Sequence, residues 1–107
     1  MRHLIQIVPG RGVRLFERMV RKEAELARLK RGTFFRCGSR DATCATWSHV
    51  VYRGRVRFQR SAGDVVTVEV KARRKAGDGW QLLQAFVGFM DRHFGESIRD
   101  INIQFRE

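Results

Sequence analysis

The stretch Asp78–Phe105, DGWQLLQAFVGFMDRHFGESIRDINIQF, decides how this chain folds. Asp78 is a good helix N-cap, because its carboxylate can accept the orphan N–H groups of the first turn. Gln81, three positions on, completes a capping-box pattern. Trp80, Leu83, Val87, Met90 and Phe94 then recur three and four apart, and Leu82, Phe86 and Phe89 form a second stripe beside them. Two stripes cover more than half the circumference, so this helix lies across a sheet and meets another element as well. Each large side chain fully buried contributes roughly 1.5–3 kcal/mol, which makes this helix the largest single source of core. Gly95 is a natural left-handed stop. Gly88, mid-helix, costs about 1 kcal/mol relative to alanine and points to close packing there against a strand, a helix or a partner. After a tight connection, Ile101, Ile103 and Phe105 alternate with Asn102, Gln104 and Arg106. That period of two is a half-buried strand lying under its own helix.

Outward from this unit, His3–Val8 reads as a first strand, and its Leu4–Val8 run, short, β-branched and nearly all apolar, has the pattern of an interior strand. Pro9-Gly10 ends it. Arg11–Arg31 has helical spacing, with Val13, Phe16, Val20, Ala24 and Ala27 inward, widened by Leu15, Met19, Leu26 and Leu29, and Gly32 at its end. Thr33–Cys37 is a short strand. Val50, Tyr52, Val56 and Phe58 alternate with His49, Val51, Arg53, Arg55 and Arg57. Gly54 marks a bulge in that run or a turn that splits it in two. Ser61-Ala62-Gly63 fits a three-residue hairpin loop, which sets Arg55 opposite Glu69 and Arg57 opposite Thr67. Val65–Ala72 returns, and Arg73–Gly77 links to the capped helix. The expectation is one α+β domain over residues 1–107. It is a two-layer sandwich in the order β-α-β-β-β-α-β, with both helices on one face of a mainly antiparallel sheet.

The composition limits function. With 43% hydrophobic and 31% charged residues the chain has enough apolar mass to fold. No segment is long and apolar enough to span a membrane, and no secretory leader is visible, so the expected location is cytoplasmic and no membrane partner is expected. The formal net charge is +11, and only Lys22, Lys30, Lys71 and Lys75 among the basic residues are lysines. A charge of that size favours polyanions, and arginine suits bidentate contact with phosphate.

Chemistry finds little purchase. The Pro9-Gly10-Arg11-Gly12 turn lacks the glycine-rich nucleotide patterns. Cys37, Cys44 and His49 do not have the spacing of a zinc or redox site. Nothing brings His49, His93 or a cysteine into a catalytic constellation, so no catalytic residue, metal or cofactor is expected. His93 has the place of a half-buried histidine that bonds a backbone carbonyl near its helix end. What remains is the basic surface. Arg11, Arg14, Arg18, Arg21 and Arg28 share a helix face, with local pairs such as Glu17–Arg21. Trp47 and His49 share a strand face with Arg53, Arg55 and Arg57, where rings could stack on bases while guanidinium groups hold phosphates. The expected function is non-enzymatic binding of nucleic acid, RNA ahead of DNA, through these ten residues. The alternative is a protein-interaction module or homodimer that uses the exposed sheet face.

Overall fold

The computed structural model of the chain describes residues 2–72 and 76–106. The elements are β1 (Arg2–Pro9), α1 (Leu15–Arg28), β2 (Phe34–Arg36), β3 (Cys44–His49), β4 (Gly54–Arg60), β5 (Val66–Ala72), α2 (Ala76–Phe94) and β6 (Ile98–Arg106). The strands form one antiparallel sheet in the order β2-β3-β4-β5-β1-β6. Both helices pack on one face, as the α+β sandwich predicts. The order gains one strand, because the run around Gly54 is two strands joined by a turn and not one bulged strand. The apolar run of β1 does lie inside the sheet, between β5 and β6. The last strand, however, is not beneath its own helix. α2 lies over β5, β4 and β1, and β6 stands at the edge.

The core sits between α2 and the sheet. Leu82, Leu83, Phe86, Phe89, Met90 and Phe94 are buried on α2, whereas Trp80 is exposed and Val87 half-buried. Phe86 and Phe89 meet Phe34 and Trp47, with ring centroids 5.3–6.4 Å apart. Phe58 closes on Trp47 at 4.7 Å. α1 buries Leu15, Phe16 and Met19 of its expected apolar face, whereas Ala24, Ala27 and Leu29 of that face are exposed.

Several boundaries move for local reasons. Gly12 takes φ +76° in the turn before α1, which delays the helix start to Leu15 and leaves Arg11 in the turn. At the other end Lys30, at φ 56°, takes the left-handed position expected of Gly32. Its N–H donates to the Ala27 carbonyl and that of Arg31 to Leu26, a Schellman closure. Gly95 is not left-handed and opens a 3-10 turn, Gly95–Ser97. α2 begins at Ala76, before Asp78; the Asp78 side chain and the linker residues 73–75 lie outside the described residues. The β4–β5 connection spans five residues instead of three, because a 3-10 turn, Ala62–Asp64, fills it. The register therefore slides by two, and Arg57 faces Glu69 while Arg55 faces Lys71.

Two glycines have opposite meanings. At Gly54 φ is +136°, and a Cβ would sit 2.6 Å from the Lys71 carbonyl oxygen and 2.8 Å from Leu82 Cδ2. The backbone of β4 is pressed against β5 and α2 there. At Gly88 a Cβ would meet nothing within 4 Å, so the expected crowding is absent. Gly54→Ala is therefore expected to destabilise by about 2–4 kcal/mol through strain and overpacking. Gly88→Ala is expected to stabilise by about 1 kcal/mol through helix propensity. Chemical denaturation of both variants checks the pair of signs.

Phe86 is fully buried. Phe86→Ala is expected to cost about 3–5 kcal/mol, a large part of the stability of a chain this size. A shift in the urea midpoint measures it.

His3 gives the fold an acid-side weakness. It is 1% exposed, edge-on to Phe105 at 4.7 Å, and neither ring nitrogen has a hydrogen-bond partner among the described residues. Burial holds its pKa below the ordinary 6.5. The unfolded chain then binds more protons than the folded one at acid pH, so stability rises with pH. The contribution is intact above the unfolded value and is lost as pH falls through 6.5 toward the lowered folded value. Melting temperature is expected to be lower at about pH 5.5 than at about pH 7.5. His3→Leu is expected to shrink that difference.

Candidate nucleic-acid interface

With both helices on one face, the other face of the sheet is open. Strand alternation decides what it carries. Residues that pair across antiparallel strands point to the same side, so the register builds rows across the sheet. One row runs Arg55, Lys71, Arg2 and Arg106 over four neighbouring strands, β4 to β6. All four side chains are exposed. The next row runs Thr46, Arg57, Glu69, Leu4 and Gln104, and the third Cys44, Gln59, Thr67, Gln6 and Asn102. The last two rows line a hollow of about 380 Å³, with Gln6, Arg57, Gln59, Thr67, Glu69 and Asn102 among its walls.

The basic row is barely neutralised. Glu69 stands one row away and pairs with Arg2 at 3.2 Å, an exposed contact of small energetic weight. Arg55, Lys71 and Arg106 form no ion pair among the described residues. Arg55 donates instead to Cys37 Sγ at 2.7 Å. The neighbouring Cys44, helped by Glu69 and Asp41, raises the pKa of the Arg57 guanidinium further. Both cysteines are free. Asp41 accepts from the N–H of Thr43 and of Cys44, each at 2.8 Å, which holds its carboxyl below the usual range and shapes the β2–β3 loop.

At the β3–β4 end of the row the chain turns through Val50–Arg53. The Nδ1 of His49 accepts from the N–H groups of Val51 and Tyr52 at 3.0 and 3.2 Å. The imidazole is thus a neutral ring with its proton on Nε2, and burial keeps its pKa low. Its face stacks on Tyr52, centroids 5.0 Å apart and 16° between planes. Together with Ser48, Arg53, Arg55 and Lys71 the two rings line a hollow of about 660 Å³. This corner places aromatic faces beside three cations.

The ten residues singled out by sequence fall into three groups. Arg53, Arg55 and Arg57 lie on or beside the open face. Trp47 and His49 do not: Trp47 is 1% exposed and belongs to the core, and His49, at the same inward parity of β3, meets buried Phe34 edge-on at 4.8 Å. The turn at Val50–Arg53 explains the correction. It resets the alternation, so odd positions point inward in β3 and even positions inward in β4, as the pairing of Trp47 with Val56 requires. The same reset leaves Val50 exposed and Tyr52 half-buried, where unbroken alternation puts both in the core.

Arg14, Arg18, Arg21 and Arg28 do share the exposed face of α1, with Arg11 in the preceding turn. That face is on the opposite layer from the open sheet, so the two arginine sets form separate surfaces. Arg18 bonds Ser97 Oγ at 3.0 Å, and Arg21 shares a hollow with Arg40 and Arg60. Glu17 pairs with Arg60 at 2.8 Å and not with Arg21. His93 is half-buried against Phe89, and no carbonyl partner is recorded for it among the described residues. Alternation puts Lys71 and Arg106 on the outward face with Arg55, but motif reading does not place them, or Arg2, in the site, because they join Arg55 in one row only through strand order.

Among the described residues no group of three or more His, Cys, Asp or Glu side chains is placed to hold a metal ion. Among the described residues no helix is long and apolar enough to cross a membrane. Compared with known protein families, with characterised proteins and with solved structures, the chain matches none, so the interface rests on its geometry alone.

Proposed function

We propose that this chain is a non-enzymatic nucleic-acid-binding domain that takes single-stranded RNA, ahead of DNA, on its open sheet face. The observation that carries the reading is the row Arg55, Lys71, Arg2 and Arg106 on neighbouring strands. Like charges directly opposite one another on a sheet destabilise it, and a polyanion offsets that cost. Strands stand about 4.8 Å apart, so the row spans roughly 14 Å, about four nucleotides of stacked strand. The His49–Tyr52 stack at one end supplies ring faces beside the cations, the arrangement single strands use for unpaired bases. An open sheet offers no helix to a major groove, which favours a single strand over duplex DNA. The same row argues against a second copy on this face, because face-to-face association would set cation against cation.

Fluorescence anisotropy with labelled single- and double-stranded RNA and DNA tests the proposal. The triple variant Arg55→Gln, Lys71→Gln, Arg106→Gln is expected to bind more weakly, with a log–log salt slope shallower by about 2. Arg14→Gln, Arg18→Gln, Arg21→Gln on α1 is expected to bind as the parent does. Loss in the helix variant alone would move the site to α1. No binding to any of these nucleic acids by the parent chain at low salt would overturn the reading.

A further inference from the structure

β6 is a nine-residue strand at the edge of the sheet. The other edge, β2, has only three residues. A long unpaired edge presents a row of backbone donors and acceptors, and proteins blunt such edges with proline, lysine, bulges or a covering helix. β6 contains no proline and no lysine, and its irregularity in pairing with β1 falls at its first residues. α2 does not cover it, being seated over β5, β4 and β1. On the helix side, Ile101 and Ile103 are only half-buried, and Phe105 is 64% exposed. Trp80 of α2, 49% exposed, stacks on Phe105 at 6.2 Å. This apolar strip continues the core to the edge and stops there.

We infer that β6 pairs antiparallel with β6 of a second copy about a two-fold axis at Ile103, joining the two sheets into one. The register follows from the residues. Centred on Ile103, Ile101 faces Phe105 of the second copy, and Asn102 faces Gln104. Asp100 faces Arg106, and this pair occurs twice by symmetry. Apolar residues thus meet apolar ones on the helix side, and polar residues meet polar ones on the open side. A slip of one residue would set apolar against polar along the whole strand. A slip of two, centred on Asn102, keeps the faces but sets Asp100 against Gln104 and loses both ion pairs. Within one copy neither Asp100 nor Arg106 has an ion-pair partner among the described residues. Arg106 reaches only Gln104, at 3.1 Å, and stands opposite Arg2 on β1. Asp100 of the second copy supplies the counter-charge on its free side. The backbone pairing uses the edge and not the open face, and it shares only Arg106 with the cation row.

Sedimentation and light scattering of the full chain, from low micromolar to several hundred micromolar, test the inference. A mass of two chains is expected. Ile103→Lys sets two ammonium groups against each other on the axis and is expected to give a monomer with an unchanged circular dichroism spectrum. Asp100→Arg and Arg106→Asp, at exposed positions that carry no core, should each weaken the dimer by roughly tenfold or more. Combined in one chain they are expected to restore it, since the pairs re-form with the charges exchanged. A chain that stays monomeric throughout overturns the inference. So does a dimer indifferent to Ile103→Lys, or one that both single charge reversals weaken and the double variant does not rescue.

Discussion

The packing of α2 on the sheet through one aromatic cluster is the constraint from which the rest follows. Phe86 and Phe89 come down on Phe34 and Trp47, and Trp47 leans on Phe58. Aromatic side chains bury the most area per residue, and their edge-to-face contacts add about 0.5–1.5 kcal/mol each beyond that area. To reach the cluster, Trp47 must point inward from β3 and Phe58 inward from β4. Those two demands have opposite parity, and the turn between the strands reconciles them. The turn brings the chain back so close to β5 and Leu82 that no side chain fits at Gly54. One packing requirement thus fixes the phase of β3, the break at Val50–Arg53 and the residue that resumes β4.

The same requirement determines what the open face holds. Once every large apolar residue of β3, β4 and β5 is committed to the helices, the outward positions are left to residues that gain nothing from burial. Nothing in that partition requires them to be cations. Three like-charged contacts in one row, Arg55–Lys71, Lys71–Arg2 and Arg2–Arg106, are opposed in the next row by Glu69 alone. Cross-strand pairs are worth roughly 0.2–1 kcal/mol in either sense, so the row lowers stability by an amount a small domain feels. An arrangement that selects against the folded chain in isolation makes sense when an anion is part of its working state.

The fold class was legible because its signals are periodic and local. α2 and β6 could be read from spacing alone, and so could the interior position of β1. What sequence did not show depended on where a period is interrupted. Alternation through His49–Arg57 looks continuous, and only the tertiary demand of Trp47 for the core reveals the reset at the turn. The β4–β5 register slipped by two because Asp64 adopts a left-handed backbone, as Gly63 does, and lengthens the loop. Lys30 does the same at the end of α1, in place of the expected glycine. Arg53, Arg55 and Arg57 were visible as a cluster, being close in sequence. Arg2, Lys71 and Arg106 join Arg55 only through strand order, and strand order is set by how the helices cover the sheet.

Edge and face are also linked to one another. β6 contributes Arg106 to the cation row on one side and Asp100, six residues away, to the same face. A two-fold at Ile103 brings each row to an end against an aspartate, so the two rows do not merge into one continuous stripe. At about 3.3 Å per residue they stand roughly 20 Å apart along the strand direction, with Asn102 and Gln104 between them. Merged rows would add cation to cation across the new strand pair and oppose the association. Separated rows avoid that repulsion and give a single flexible strand two places to bind. The second contact is then made at the high effective concentration set by the first, so affinity would exceed that of one row without any new contact in either copy. In the proposed dimer it is Asp100 that would let a chain of net charge +11 pair with itself and keep its basic face open.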